Sequence, residues 1–169
     1  MDHPFSNIMK HIETGEKTIL DGYIRFCNPH KEHKLVSIFR NPKITSTDVP
    51  FATTAFGDVF TWNEDGYIRL YKLVDGISNT IMFGDQFFFQ NVVDADFQTE
   101  YFDLNLYYEA RAKYGQLGQN RCIRSGCQQH KLNQCYTFVP IPALGGSKKL
   151  DSIQVGDLFA YLALLLDNF

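Results

Sequence analysis

The hydrophobic pattern of the first forty residues predicts a helix, a strand and a second helix. Ser6 to Glu16 has apolar residues at helical spacing and a glycine near its end, which predicts a short opening helix. Gly22 to Cys27 has the composition of a strand. Asn28-Pro29 then offers a cap residue and a first-turn proline for a helix that continues to about Arg40. The predicted buried stripe of this helix is Leu35, Ile38 and Phe39.

Alternating apolar positions predict an antiparallel meander between residues 51 and 83. Its first segment is predicted to be one long strand or a bent pair, with a kink at Gly57, where a glycine in a strand marks a bulge or a close backbone approach. Phe56, Phe60 and Trp62 are expected to share one face of that segment. The predicted strands, separated by hairpin turns at Asn63–Gly66 and Asp75–Gly76, are Phe51–Trp62, Tyr67–Leu73 and Ile77–Phe83.

From Asp85 onward the apolar spacing returns to three and four residues. This spacing predicts two helices, broken near Asp103, which is expected to cap the second before a stop at Gly115. Residues 116–134 have the composition of a loop, and a strand through Val139 follows. A last helix, capped by Asp157, is predicted to bury Leu158, Tyr161, Leu162, Leu165 and Leu166. The order predicts an α+β fold with a mainly antiparallel sheet and helices packed on it, in a single compact domain.

Composition supports one domain with a substantial core. The chain has 169 residues, of which 44% are hydrophobic and 15% aromatic. The start, Met1 to Phe5, lacks the basic segment and apolar run of a secretory signal. The longest apolar run, Leu158 to Leu166, is shorter than the about 20 residues that cross a bilayer. We therefore expect a cytoplasmic protein without a membrane partner.

The charge distribution points to a class of partner. The net charge is −3, but residues 44–109 contain two Lys or Arg against eleven Asp or Glu, a net charge of −9. An acidic surface repels phosphates and attracts basic proteins. The alternative, nucleic-acid binding, has support only from a basic region around Tyr114, and the acidic block argues against it. That region contains Arg111, Lys113, Arg121, Arg124 and Lys131.

The cysteines allow two interpretations. Without an export signal, Cys27, Cys122, Cys127 and Cys135 are expected to remain reduced thiols. Cys122 and Cys127, followed by His130 and Cys135, loosely resemble zinc ligands, but the spacing lacks the tight Cys-x-x-Cys of structural zinc sites. We expect neither a metal nor another cofactor.

No established catalytic motif is present in the sequence, neither a phosphate loop nor a nucleophile elbow. Cys135, His130 and Asp103 are the conceivable thiolate, base and acid of a hydrolase. A small buried thiol at the start of a strand is the commoner explanation of Cys135. We therefore expect no catalytic residues.

Acidic residues of the central block are the candidates for partner contact. Asp58 follows a glycine inside an apolar segment, so it either meets a partner or satisfies backbone N–H groups at a bulge. Asp96, Glu100 and Asp103 follow helical spacing, which favours a solvated face over a metal cluster. The proposed contact residues are Asp58, Glu64, Asp65, Asp94, Asp96 and Glu100.

Two longer motifs carry a family resemblance. They are Pro50–Trp62, which contains Phe51-Ala52-Thr53-Thr54-Ala55-Phe56-Gly57-Asp58, and Cys135–Gly146, which mixes strand-forming aromatics with two prolines and a double glycine. The second motif contains no Ser, His, Asp or Glu, so backbone shape explains its order better than chemistry. Together the motifs resemble the C-terminal domain of bacterial type VI secretion immunity proteins, over about residues 45–169. The segment 116–134 is longer than the corresponding link in that family.

The resemblance implies a division of the chain and a function. Residues 1–44 resemble a short GAD-like region, which usually precedes this domain, and together with residues 45–169 they are expected to form one globular unit. The implied function is a non-catalytic, cytoplasmic immunity protein that masks a basic toxin, such as a DNase effector of type VI secretion. The alternative from another class is a housekeeping scaffold or regulatory domain without a linked toxin.

Overall fold

The computed structural model describes residues 5–31, 33–40, 47–118 and 133–169. These ranges contain six α-helices and eight β-strands. The helices are α1 (Ser6–Thr14), α2 (His33–Phe39), α3 (Phe88–Val92), α4 (Ala95–Tyr101), α5 (Leu104–Tyr114) and α6 (Leu158–Asp167). The strands are β1 (Thr18–Ile19), β2 (Ile24–Phe26), β3 (Val49–Thr54), β4 (Val59–Trp62), β5 (Tyr67–Lys72), β6 (Ile77–Phe83), β7 (Gln134–Phe138) and β8 (Ile153–Asp157).

Strands β1 to β6 form one antiparallel sheet in sequence order. Each strand pairs with the next along the chain, and short connections join all of them except β2 and β3, between which helix α2 lies. The register places buried residues side by side, as with Phe60 of β4 and Leu70 of β5. The predicted meander is confirmed, and the short strand β1 adds an edge that the hydrophobic pattern did not predict.

The segment predicted as a kinked strand is a hairpin. A tight turn at residues 55–58 joins β3 to β4, and Gly57 in this turn has a φ of 87°. A Cβ atom on Gly57 would lie 3.3 Å from Cδ1 of Tyr161 on α6. The left-handed backbone and the adjacent helix both favour glycine. The prediction of a bent pair of strands is therefore confirmed, whereas the predicted bulge at Gly57 is wrong. Phe56, which was expected on a strand face, lies in the turn.

The next hairpin is the predicted one. Gly66 N–H donates to the carbonyl oxygen of Asn63 at 3.1 Å, which closes the turn between β4 and β5. The Asn63 side chain also accepts a hydrogen bond from Tyr67 N–H at 2.9 Å. An Asn side chain that imitates a backbone carbonyl in this way stabilises a turn.

Strands β7 and β8 form a second, two-stranded antiparallel sheet. The motif Cys135–Gly146 supplies most of β7 and the turn after it, where Gly145 has a φ of 86°. A Cβ atom on Gly146 would lie 1.8 Å from the carbonyl oxygen of Pro140. Gly145 is thus required for its positive φ, and Gly146 for its close approach to the backbone of Pro140. The pattern of residues 153–157 did not predict β8.

Buried hydrogen bonds join the two sheets. Tyr136 N–H of β7 donates to the carbonyl oxygen of Ala55 in the β3–β4 turn at 2.8 Å. Arg25 of β2 is buried and donates to the carbonyl oxygen of Gln134, and to that of Thr54 at 3.1 Å. The two family motifs are therefore in direct contact, although about eighty residues separate them in sequence.

Several helix boundaries differ from the predictions. Helix α2 begins at His33 and not at Pro29, because the preceding residues form a turn in which Lys31 N–H donates to the carbonyl oxygen of Asn28 at 2.9 Å. Three helices, and not two, lie between residues 88 and 114. Val93, directly after α3, is exposed. The cap of α6 is confirmed, since the carboxylate of Asp157 accepts from Ala160 N–H at 2.9 Å.

Aromatic rings fill the space between the large sheet and the helices. Phe51, Phe60 and Phe88 form a triangle with ring centroids 5.6 to 6.1 Å apart. Phe56 stacks on Phe138 at 5.5 Å. Burial of each such side chain contributes about 1.5 to 3 kcal/mol. The predicted buried face of α6 is confirmed, with Leu158, Tyr161, Leu162, Leu165 and Leu166 all buried.

The architecture is the predicted α+β fold in a single compact domain. Its N-terminal part shares the main sheet, since Arg25 of β2 pairs with Thr53 of β3. The division into a GAD-like region (1–44) and an immunity domain (45–169) stays a prediction. In the part of the chain that the structure describes, every helix is too short or too polar to cross a membrane.

Candidate functional site

The acidic residues predicted to contact a partner lie in three different places. Asp58 is inside the protein, in the β3–β4 turn, with 3% of its surface exposed. Glu64 and Asp65 are exposed in the turn between β4 and β5. Asp94, Asp96 and Glu100 are exposed on or directly before α4. Five of the six carboxylates are thus available to another protein, and that of Asp58 is not.

A neighbouring hydroxyl group, and not the backbone, satisfies Asp58. The Thr54 hydroxyl donates to Oδ2 of Asp58 at 3.1 Å. The same hydroxyl oxygen accepts hydrogen bonds from the N–H groups of Phe56 at 3.3 Å and Asp58 at 3.1 Å. This arrangement closes the β3–β4 turn around one Thr–Asp pair. Asp58 therefore stabilises a turn inside the protein, as one of the two predictions held. Its carboxylate bonds to the Thr54 side chain, however, and not to backbone N–H groups.

Burial also changes the acidity of Asp58. Desolvation raises the pKa of the Asp58 carboxyl to about 7, while the charges of Lys72 and Lys148 and the Thr54 hydrogen bond act in the opposite direction. Removal from water disfavours the charged form of a carboxyl group. Asp58 is thus close to half protonated at neutral pH.

Four charged side chains form an ionic cluster near Asp58. Lys148 Nζ donates to both carboxylate oxygens of Asp75, at 2.9 and 3.1 Å, and to Oδ2 of Asp103 at 3.1 Å. Lys72 lies 3.3 Å from Asp75 and 3.9 Å from Asp103. Asp103 occupies the N-cap position of α5 but makes no side-chain hydrogen bond to that helix. The predicted cap is therefore wrong, since this carboxylate is held by lysines instead.

A cleft of about 510 Å³ adjoins this ionic cluster. Helices α4 and α5 and the segment between them form its walls, and Asp103 and Lys148 lie at one side. These two side chains form a salt bridge with each other. The cleft is therefore partly polar, but the charges of Asp103 and Lys148 are already paired.

The acidic residues of helix α4 have two functions, one as the helix cap and one on the exposed face. Oδ1 of Asp94 accepts hydrogen bonds from Asp96 N–H at 3.1 Å and from Phe97 N–H at 3.0 Å, so Asp94 is the N-cap of this helix. Asp96 and Glu100 are four residues apart and therefore lie on the same helical face. An acidic exposed face of this kind attracts a basic partner at short range.

Exposed aromatic side chains mark a further surface, beside the β4–β5 turn. Tyr67 is 42% exposed, whereas Tyr71 and Tyr107 are buried. The Tyr67 ring contacts that of Phe83, with centroids 5.3 Å apart, and Phe83 is 70% exposed. The sequence did not reveal Phe83, because its spacing within β6 does not differ from that of a core residue. Tyr and Phe exposed together are typical of protein-binding surfaces.

The catalytic hypothesis for Cys135 is disfavoured. Cys135 is buried, and desolvation raises the pKa of its thiol to about 12. A nucleophilic cysteine needs a lowered pKa and access to substrate. His130, its conceivable base, lies outside the described residues.

The metal and nucleic-acid hypotheses fall largely on residues outside the described ranges. Cys122 and Cys127 lie there, as do Arg121, Arg124 and Lys131. Among the described residues, no three His, Cys, Asp or Glu side chains are grouped to hold a metal ion. Lys113, from the basic region, pairs with Asp151 at 2.9 Å.

Comparisons with known proteins find a family match over part of the chain. Residues 123–167 match the family model described as T6SS immunity protein Tdi1, C-terminal. A solved structure, the crystal structure of Atu4351 from Agrobacterium tumefaciens, matches the fold with a TM-score of 0.56 and 16% sequence identity. That match covers 98% of this chain and 80% of the other. No curated protein matches the chain. Residues 123–167 are therefore similar to the C-terminal region of type VI secretion immunity proteins, the family that the two sequence motifs indicate.

Proposed function

We propose that this protein is a non-catalytic, cytoplasmic immunity protein that binds and masks a toxin of the type VI secretion system. The family match over residues 123–167 is the observation that carries the proposal. The burial of Cys135 and its raised thiol pKa agree with a role that needs no nucleophile. The runner-up, a scaffold without a linked toxin, lacks a comparable observation.

The contact surface that we propose is acidic. Glu64, Asp65, Asp94, Asp96 and Glu100 are exposed and belong to a segment of net charge −9. A DNase must attract phosphates, so its active-site region is basic. An inhibitor with exposed carboxylates is complementary to such a region and associates with it faster. We therefore propose that the partner is a basic protein and, more specifically, a DNase effector.

Co-expression tests the function. We expect a toxin gene beside the gene for this protein, and its product, the effector, is expressed in a host cell with and without this chain. We expect growth to be restored by the chain, the two proteins to co-purify, and DNA cleavage by the purified effector to stop when the chain is added. If the effector neither binds the chain nor is neutralised by it, the proposal fails.

Charge reversal tests the acidic surface. Glu64→Lys and Glu100→Lys are expected to lower the association rate several-fold at low salt and less at high salt, because salt screens the attraction. The matched control is Glu13→Lys on α1, an exposed glutamate outside the acidic segment. An equal loss in all three variants would contradict a localised acidic contact surface.

A further inference from the structure

The outer side of strand β6 is an open sheet edge. Its inner side pairs with β5 along almost its whole length, from Lys72 opposite Ile77 to Tyr67 opposite Phe83. Within residues 5–31, 33–40, 47–118 and 133–169, no strand pairs with its outer side. The seven residues of β6 therefore present backbone groups that an additional strand would satisfy.

β6 lacks most of the features that protect an edge strand. Natural edges are shortened, carry charged residues or Pro, or contain a bulge, and each of these disfavours pairing with another chain. The opposite edge, β1, follows this rule with only two residues. β6 has none of those residue types in Ile77-Ser78-Asn79-Thr80-Ile81-Met82-Phe83. Its one irregularity is at Ile81, which has no partner in the β5–β6 register.

Side chains at the end of β6 offer an anchor beside this edge. The Phe83 ring lies over Gly66, where an added Cβ would be 3.0 Å from Cε2, and it contacts the ring of Tyr67. Gly84 N–H donates to the carbonyl oxygen of Gly66 at 2.7 Å, which extends the pairing past the strand. Phe83 is thus held in place by its neighbours although most of its surface is exposed. Rigid, exposed aromatics of this kind are common anchors of protein interfaces.

The Phe83 end of β6 is acidic. Glu64 and Asp65 are exposed and directly precede Gly66 beside Phe83. At the other end, Asp75 in the turn before Ile77 is already paired with Lys72 and Lys148. A strand that carries Lys or Arg beside Phe83 is complementary to Glu64 and Asp65, which favours a basic protein as the occupant.

We propose that the outer edge of β6 receives an extended segment of a basic protein partner, which adds a seventh strand to the sheet. Backbone hydrogen bonds supply affinity, while Phe83 and Tyr67 anchor a side chain of the segment. Glu64 and Asp65 select basic residues beside it. The inference rests on the proposed function only for the identity of the partner, which is the effector.

Binding of the inactivated effector encoded by the adjacent gene tests the inference. Phe83→Ala is expected to weaken binding about ten-fold or more. The control is Leu144→Ala, which removes a side chain that is 62% exposed in the turn after β7 and is expected to leave binding unchanged. At the exposed position Thr80, Thr80→Lys is expected to weaken binding and Thr80→Glu to preserve it. The complex should also protect amide groups of residues 77–83 from hydrogen exchange.

Each alternative gives a distinct result. If the effector binds but no β6 variant changes its affinity and residues 77–83 gain no protection, the inference is overturned and the proposed function stands. If the chain alone dimerises with rising concentration and Phe83→Ala abolishes the dimer, β6 pairs with a second copy and the inference is overturned. If the unmodified chain does not bind the effector, both proposals fail.

Discussion

Replacement of Asp58 by Asn should change how the stability of the protein depends on pH. Asp58 is buried, and its carboxylate accepts a hydrogen bond from the Thr54 hydroxyl. Asn has nearly the same shape and retains an oxygen that accepts this hydrogen bond. It has no proton to lose in this range. Asp58→Asn therefore removes one titration from the folded core with little change in packing.

The direction of the effect follows from the raised pKa. Folding raises the pKa of Asp58 from 3.8 to about 7, so between these values the folded protein holds a proton that the unfolded chain has lost. Stability therefore falls as the pH rises through this window, and the loss is complete above pH 7. At about 1.4 kcal/mol per pKa unit, the full loss is roughly 4 kcal/mol. Between pH 5 and pH 8 it is roughly 3 kcal/mol.

Urea unfolding at several pH values measures this loss. The fluorescence of Trp62, which is the single tryptophan and is buried, reports the transition. We expect Asp58→Asn to gain stability relative to the unmodified protein as the pH rises from 5 to 8. Asp96→Asn, on the exposed face of α4, is the control and should show a much smaller change. A stability difference between Asp58→Asn and the unmodified protein that stays constant over this range would refute the argument.

Three further predictions concern stability and use the same unfolding assay. Gly146→Ala should cost at least about 2 kcal/mol, because its Cβ would lie 1.8 Å from the carbonyl oxygen of Pro140. Leu162→Ala, at a fully buried position of α6, should cost about 3 kcal/mol, and the exposed Leu164→Ala less than about 0.5 kcal/mol; equal losses would contradict the packing of α6. Asp94→Ala should cost about 1 kcal/mol through loss of the α4 cap, and Asp94→Asn should restore most of it if capping is the cause.

Sequence patterns correctly predicted the turns and helix caps that depend on interactions between residues close together in the chain. The turn at Asn63–Gly66 and the cap at Asp157 depend on residues within a few positions of each other, and both are confirmed. The apolar spacing of α6 likewise identified its buried face. Strand β8 was missed because its Val155 is exposed and its pattern is that of an edge, which lacks the alternation of a half-buried strand.

The candidate site was only partly predictable. Glu64, Asp65 and the acids of α4 are exposed as expected, since charged residues in turns and on helix faces remain in water. Asp58 was assigned to a partner surface, yet it lies in the core, because the turn around Gly57 folds back against α6. Phe83 was not identified, because aromatic residues in strands are usually buried and only the position of β6 at the sheet edge exposes it.

The sequence by itself determined the order of most helices and strands, the acidic character of the middle of the chain, and the resemblance to an immunity family. These follow from the residue types, their spacing and their charges, which act over short distances along the chain. The tertiary structure alone decided that Lys148 meets Asp75 and Asp103, that the two motifs touch where Tyr136 N–H donates to the Ala55 carbonyl oxygen, and that β6 is an open edge. These contacts join residues far apart in sequence, and only packing of the whole chain brings them within hydrogen-bonding distance.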